Sequence, residues 1–129
     1  MSPKRKGQMA IEFIMMMAAA IIVGSLFLYS AYGLLADRTE EERITALNDL
    51  GYAIQDELIL AQTVSDGYER TFTVPTLAGR FTYALTSLPG AVTLQSGRTT
   101  ITYPTPAFTG VIAKGANTIA KDGAITVTQ

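Results

Sequence analysis

The sequence predicts an α+β chain: a long N-terminal α-helix, first hydrophobic and then amphipathic, followed by a small antiparallel β-sandwich or meander head. Three observations carry this reading. No residue from Phe13 to Ala36 is charged, a run of 24. Ile44, Leu47, Leu50, Ile54, Leu58, Ala61 and Val64 then recur at steps of three or four, which is one apolar stripe on a helix. Past Gly67 this spacing gives way to Thr, Val, Ile, Tyr and Phe in period-two alternation, interrupted by turns.

The first seven residues, MSPKRKG, carry three positive charges and stand before the apolar run. A bilayer core needs about 20 apolar residues in a helix, and the run clears that length. It is too long for the roughly 7–15-residue core of a cleaved secretory signal, and no small-x-small site follows it. The basic flank predicts that the N-terminus stays in the cytoplasm and that everything after Ala36 lies outside. From Gln8 to Ser65 there is no proline, and Asp37-Arg38-Thr39 breaks no helix. One helix is therefore expected from about Met9 to Ser65, ended by Asp66-Gly67. Two helices meeting near Gly33–Thr39 are the alternative.

In the head, Phe72 and Val74 mark a first strand. Phe81, Tyr83 and Leu85 mark a second, Val92 with Leu94 a third, and Ile101 with Tyr103 a fourth. A looser run covers Phe108 to Ala113, and Ile119, Ile125 and Val127 close the series. Leu88-Pro89-Gly90, Ser96-Gly97 and Asp122-Gly123 are the turn signals, the last a favoured tight hairpin. About 62 residues make a thin core for an isolated β domain, so the apolar stripe of the helix is the expected extra layer. This divides the chain into residues 1–7, a helix over 8–65 and a β-rich head over 66–129.

The chain has no cysteine and no histidine, which excludes disulfides, thiol catalysis and Cys/His zinc sites. No nucleophile–base pair, metal cluster or phosphate loop can be assembled, so neither an enzyme nor a cofactor is expected. The formal net charge is −1 but unevenly placed. Residues 37–65 hold seven acids and two arginines, and residues 66–129 hold five cations and three acids. An acidic helix facing a basic head, its own or a neighbour's, is expected. A nucleic-acid partner, which needs clustered basic charge, is not. Met15-Met16-Met17 reads as adaptable packing. Neither Asn48 nor Asn117 begins an Asn-x-Ser/Thr sequon.

Glu12 is the anomaly. A carboxylate deep in an apolar helix costs about 2.5–3.5 kcal/mol in a membrane and is rarely without a partner. It either reaches back to the headgroups or meets a cation in the same dry layer. A cut between Gly7 and Gln8 would create such a cation, a new α-amino group one helical turn away, best reached by the Glu12 of an axially shifted neighbour.

Lys4-Arg5-Lys6-Gly7, then Gln8-Met9-Ala10-Ile11-Glu12-Phe13 and the apolar run, resemble the class III signal sequence of archaeal type IV pilin-like proteins. Ala10 stands where that pattern often has serine. The resemblance covers residues 4–36 in detail and the rest only as an overall plan. It implies that a prepilin peptidase cuts after Gly7 and that Glu12 takes part in subunit assembly. It further implies a structural subunit, inserted in the cytoplasmic membrane as a precursor and built by pilus assembly machinery into an extracellular helical filament of many copies. Ile11, Phe13, Ile14, Ile21, Ile22, Leu26, Phe27 and Leu28 are then the filament-core contacts. An archaellin-type motility subunit and a monomeric binding domain on a permanent membrane anchor are the alternatives. Adhesion and motility leave no local signature in a threonine-rich head.

Overall fold

The computed structural model describes residues 3–129, with side chains from Gly7 onward. The first two residues of the expected leader, and the side chains of its basic flank, lie outside the described residues. Helix α1 (Pro3–Thr63) precedes seven strands: β1 (Tyr68–Val74), β2 (Ala84–Leu88), β3 (Ala91–Ser96), β4 (Thr99–Pro104), β5 (Phe108–Gly110), β6 (Gly115–Asp122) and β7 (Ala124–Thr128). The fold is α+β, with the strands in two sheets.

Helix α1 starts six residues before the expected Met9 and ends two before Ser65. The early start has a simple cause. Proline suits a first helical position, where its missing N–H would have had no partner, and lysine and arginine are good helix formers. The helix is unbroken over Gly33–Thr39, against the two-helix alternative. Its last turn ends with Val64 N–H donating to the Leu60 carbonyl at 3.2 Å.

The chain forms two compact units, one reaching to Glu40 and the other Glu41–Gln129. The second unit holds the core. Leu47, Leu50, Ile54, Leu58 and Ala61 are buried along one face of the helix, whereas Ile44 and Val64, the ends of the expected stripe, remain partly exposed. The five buried helix residues pack in one cluster with Val74, Val92, Leu94, Tyr103, Phe108, Ile112, Ile119, Ile125 and Val127 from the strands and their loops. The helix is thus the layer that the short strands lacked.

One sheet has the order β1-β6-β7-β5 and the other is the meander β2-β3-β4. All pairings are antiparallel except β5–β7, which is parallel. The expected antiparallel pairing thus holds for four of the five pairs, and the parallel one is an addition. Strand β4 ends at Pro104, and Pro106 follows two residues on; prolines cannot continue a ladder. The chain therefore leaves the meander and joins the far edge of the other sheet. The approach is closest at Gly110, whose φ of 108° suits glycine and whose missing Cβ would overlap the Val127 carbonyl.

Two strand expectations shift. Phe81 forms only an isolated bridge with Ala78, and β2 begins at Ala84, after Tyr83. Side chains take the carbonyls that a ladder would have used: Ser96 Oγ donates to Thr82 O at 2.7 Å and Lys114 Nζ donates to Tyr83 O. The looser run from Phe108 is a strand only to Gly110. Beyond it, buried Asn117 holds the backbone, accepting from Ala113 N–H at 3.0 Å and donating to Ala113 O and Gly115 O.

Candidate functional site

The apolar residues expected to make contacts are all uncovered. From Met9 to Leu35 every large hydrophobic side chain is exposed, from 51% at Met17 to 82% at Tyr29. At about 100° per residue, Ile11, Phe13, Ile14, Ile21, Ile22, Leu26, Phe27 and Leu28 point to all sides of the helix rather than to one stripe. A helix that is apolar all round belongs in a core or a bilayer. Among the described residues there is one helix segment long and apolar enough to cross a membrane, with its most apolar stretch unburied within the chain.

Two hydroxyls along this segment bond back to the helix itself. Ser25 Oγ donates to the Ile21 carbonyl at 2.8 Å, and at the segment's end Thr39 Oγ1 donates to Leu35 O at 2.9 Å. Such back-bonding lets a hydroxyl enter an apolar environment without an open donor. Glu12 has no such provision. It is exposed, and among the described residues nothing pairs with it. Gly7 and Gln8 lie within α1, one turn toward its start. The structure therefore puts Gly7, Gln8 and Glu12 on one continuous helix.

The head has its own charge pattern. Glu42 pairs with Arg80, and Glu57 with Arg70 at 3.2 Å. Arg43 and Arg80 also stand over the Phe81 ring, at 5.1 and 5.3 Å. The acidic helix thus meets basic residues of its own chain. Glu42–Arg80 is exposed at both ends, and such a pair contributes only about 0–1 kcal/mol, so it orients more than it stabilises. A shallow groove between α1 and β1 is lined by Leu50, Ile54, Glu57, Arg70 and Phe72, and the Glu57–Arg70 pair lies in it. Among the described residues no group of three or more acidic side chains could hold a metal ion.

Two head residues that anchor α1, Tyr103 and Lys121, were not given that role by sequence reasoning. At Gly51, mid-helix, a Cβ would overlap the Tyr103 ring, and the Tyr103 hydroxyl donates toward Leu47 O at 3.1 Å and Asn48 Oδ1 at 2.7 Å. Lys121 Nζ donates to Gln62 O at 2.7 Å and Val64 O at 2.6 Å, supplying the cation that the last helical turn lacks. The buried side chain of Asn117, also unread, holds the backbone at Ala113 and Gly115 instead. A glycine in the middle of a strong helical pattern was the one legible signal among them.

Burial raises the hydroxyl pKa of Tyr83 above the ordinary tyrosine value. It does the same for Tyr103, where Tyr52 and Asp49 add to the effect. Comparison of the chain with protein-family models, curated proteins and solved structures finds no match in any of them.

Proposed function

We propose that this chain is a structural subunit, a pilin, of an extracellular type IV pilus-like filament of the archaeal kind. One observation carries the reading: a helix segment apolar on every side and uncovered throughout, in a chain whose residues from Glu41 onward form a compact unit with its own core. Such a segment is stable in a bilayer, or in water only when many copies bundle it into a shared core. Contacts between copies that do not close into a ring generate a helical filament.

The precursor sits in the cytoplasmic membrane with its basic N-terminus inside. A prepilin peptidase removes residues 1–7, and assembly machinery adds the mature subunit, starting at Gln8, to the surface filament. Glu12 favours the pilin over the archaellin assignment, since an acid at this place belongs to the pilin pattern. The head faces outward and makes the filament's external contacts. The chain performs no catalysis in this role.

The test is to shear surface filaments from cells that produce the chain, image them, and sequence the N-terminus of their subunit. Filaments built of a chain starting at Gln8 are the expected result. A chain that keeps Met1 or Ser2 and stays monomeric in the membrane would replace this reading with that of an anchored surface domain.

A further inference from the structure

We infer that Gly7 is the point at which α1 opens to present the Gly7–Gln8 peptide bond for cleavage. This rests on the processing junction of the proposed function. Helix α1 begins at Pro3, so the bond to be cut lies inside a helix, not in a loop before it. Hydrolysis requires water to attack the Gly7 carbonyl carbon. The C–N bond to Gln8 breaks, the nitrogen gains a proton and leaves as the α-amine of Gln8, and Gly7 keeps a carboxylate. In a helix that carbonyl is turned along the axis toward the N–H four residues on. Attack needs a water molecule and a general base within hydrogen-bond reach of that carbonyl carbon, and the surrounding turn of an intact helix obstructs both. Cleavage therefore proceeds from a locally unwound state.

The glycine itself points to where unwinding starts. Glycine inside a helix costs roughly 1 kcal/mol relative to alanine, so its presence needs a reason. At Gly51 the reason is the Tyr103 ring, and at Gly110 it is a positive φ with a close carbonyl. Gly7 has neither. Its φ is not positive, and nothing lies within 4 Å of where a Cβ would stand. Gly24 and Gly33 are equally open, but a neighbouring copy can close against them in a filament. Gly7 leaves with the leader, so no filament contact explains it. What remains is the conformational freedom itself. The neighbours on both sides, Lys4-Arg5-Lys6 and Gln8-Met9-Ala10, are good helix formers, which concentrates the weakness at one residue. The basic flank keeps that residue at the cytoplasmic surface, where water can receive freed backbone groups that lipid could not.

The test uses the full-length chain in membranes containing a prepilin peptidase and follows the loss of residues 1–7 by intact mass. Gly7→Ala should slow cleavage about fivefold, the equivalent of roughly 1 kcal/mol of helix propensity. Ala10→Gly placed in that background should restore most of the rate by moving the weak point three residues on. In detergent micelles without peptidase, the amides of Gln8 to Ile11 should exchange about fivefold more slowly in Gly7→Ala than in the parent. Loss of cleavage in Gly7→Ala with unchanged exchange and no restoration by Ala10→Gly would overturn the inference, since glycine would then be required for fit in the peptidase. If the unaltered chain is not cut at all, the processing junction falls and the inference falls with it.

Discussion

Tyr103 and Gly51 form a knob and a notch, and each is only as good as the other. Gly51→Ala drives a methyl group into the Tyr103 ring, and overpacking of that kind costs about 1–3 kcal/mol. Tyr103→Phe keeps the ring and loses the hydrogen bonds to Leu47 O and Asn48 Oδ1, about 1 kcal/mol. Thermal melts of the two variants should therefore rank Gly51→Ala below Tyr103→Phe. The same hydroxyl gives the head an alkaline limit. Burial disfavours the ionised form of Tyr83 and Tyr103, so each folded-state pKa lies above the unfolded value near 10. Between the two values the folded chain retains protons that the unfolded chain has lost, and stability falls as pH rises. The contribution is complete below about pH 10 and is lost as pH climbs through the folded-state value. Urea midpoints measured from pH 8 to 11 should fall more steeply above pH 10 for the parent than for a Tyr83→Phe/Tyr103→Phe double variant; parallel curves would show that other groups set the limit. At this scale the sequence was only partly legible. Val92, Leu94, Ile119, Ile125 and Val127 are buried as their alternation requires. Asn117 was unreadable, because its partners are carbonyls and an N–H of a loop whose path no side-chain pattern specifies.

Elements were read best where one local period persists. The helix from Gln8 to Thr63 has no proline and a clear stripe, so its existence and its buried face followed from spacing. Its end is held by something non-local. Lys121 lies in β6 and reaches Gln62 O and Val64 O only because β6 runs beside β1. Lys121→Met should destabilise the head by about 1.5–3 kcal/mol, the range for hydrogen bonds to a charged group. Hydrogen exchange should show the loss first in the last turn of α1; an unchanged melt would mean that water replaces the ammonium at no cost. The parallel pairing of β5 with β7 was equally hidden, since three residues carry no readable period. There Gly110→Ala strains a φ of 108° and crowds the Val127 carbonyl. The expected cost is about 1–3 kcal/mol, readable as a lowered melting temperature with the β2-β3-β4 sheet protected longest. Strand β2 was placed three residues too early, because the carbonyls of Thr82 and Tyr83 are claimed by Ser96 and Lys114.

For the whole molecule the deciding residue is Glu12, because its partner is absent from its own described chain. From Met9 to Leu35 the large apolar side chains of the helix are all exposed. Such surfaces slide past one another at little cost, so they drive association without fixing an axial offset. A carboxylate does fix one. Under the filament reading, the Gln8 amine freed by cleavage is the simplest cation, and a neighbouring helix must be shifted so that one meets the other. Any other offset leaves two charges unpaired in a dry bundle, and breaking a buried pair costs roughly 3–5 kcal/mol. A difference of that size is more than a hundredfold in preference per contact, at about 1.4 kcal/mol for each factor of ten. Glu12→Gln keeps the size and hydrogen-bonding capacity of the side chain and removes its charge. Membrane insertion should be unaffected, since the apolar run is intact, and cleavage after Gly7 should proceed. Filament yield should fall at least tenfold, with processed subunits accumulating in the membrane. Glu12→Ala should behave alike, because charge rather than volume sets the register. Filament counts by electron microscopy, with the membrane pool measured on the same cells, separate the cases. Normal filaments in Glu12→Gln would mean that the carboxylate reaches the headgroups and that the apolar faces set the offset themselves. A Gln8 cyclised to pyroglutamate in parent filaments would remove the amine and require the cation to come from another residue of the neighbouring subunit.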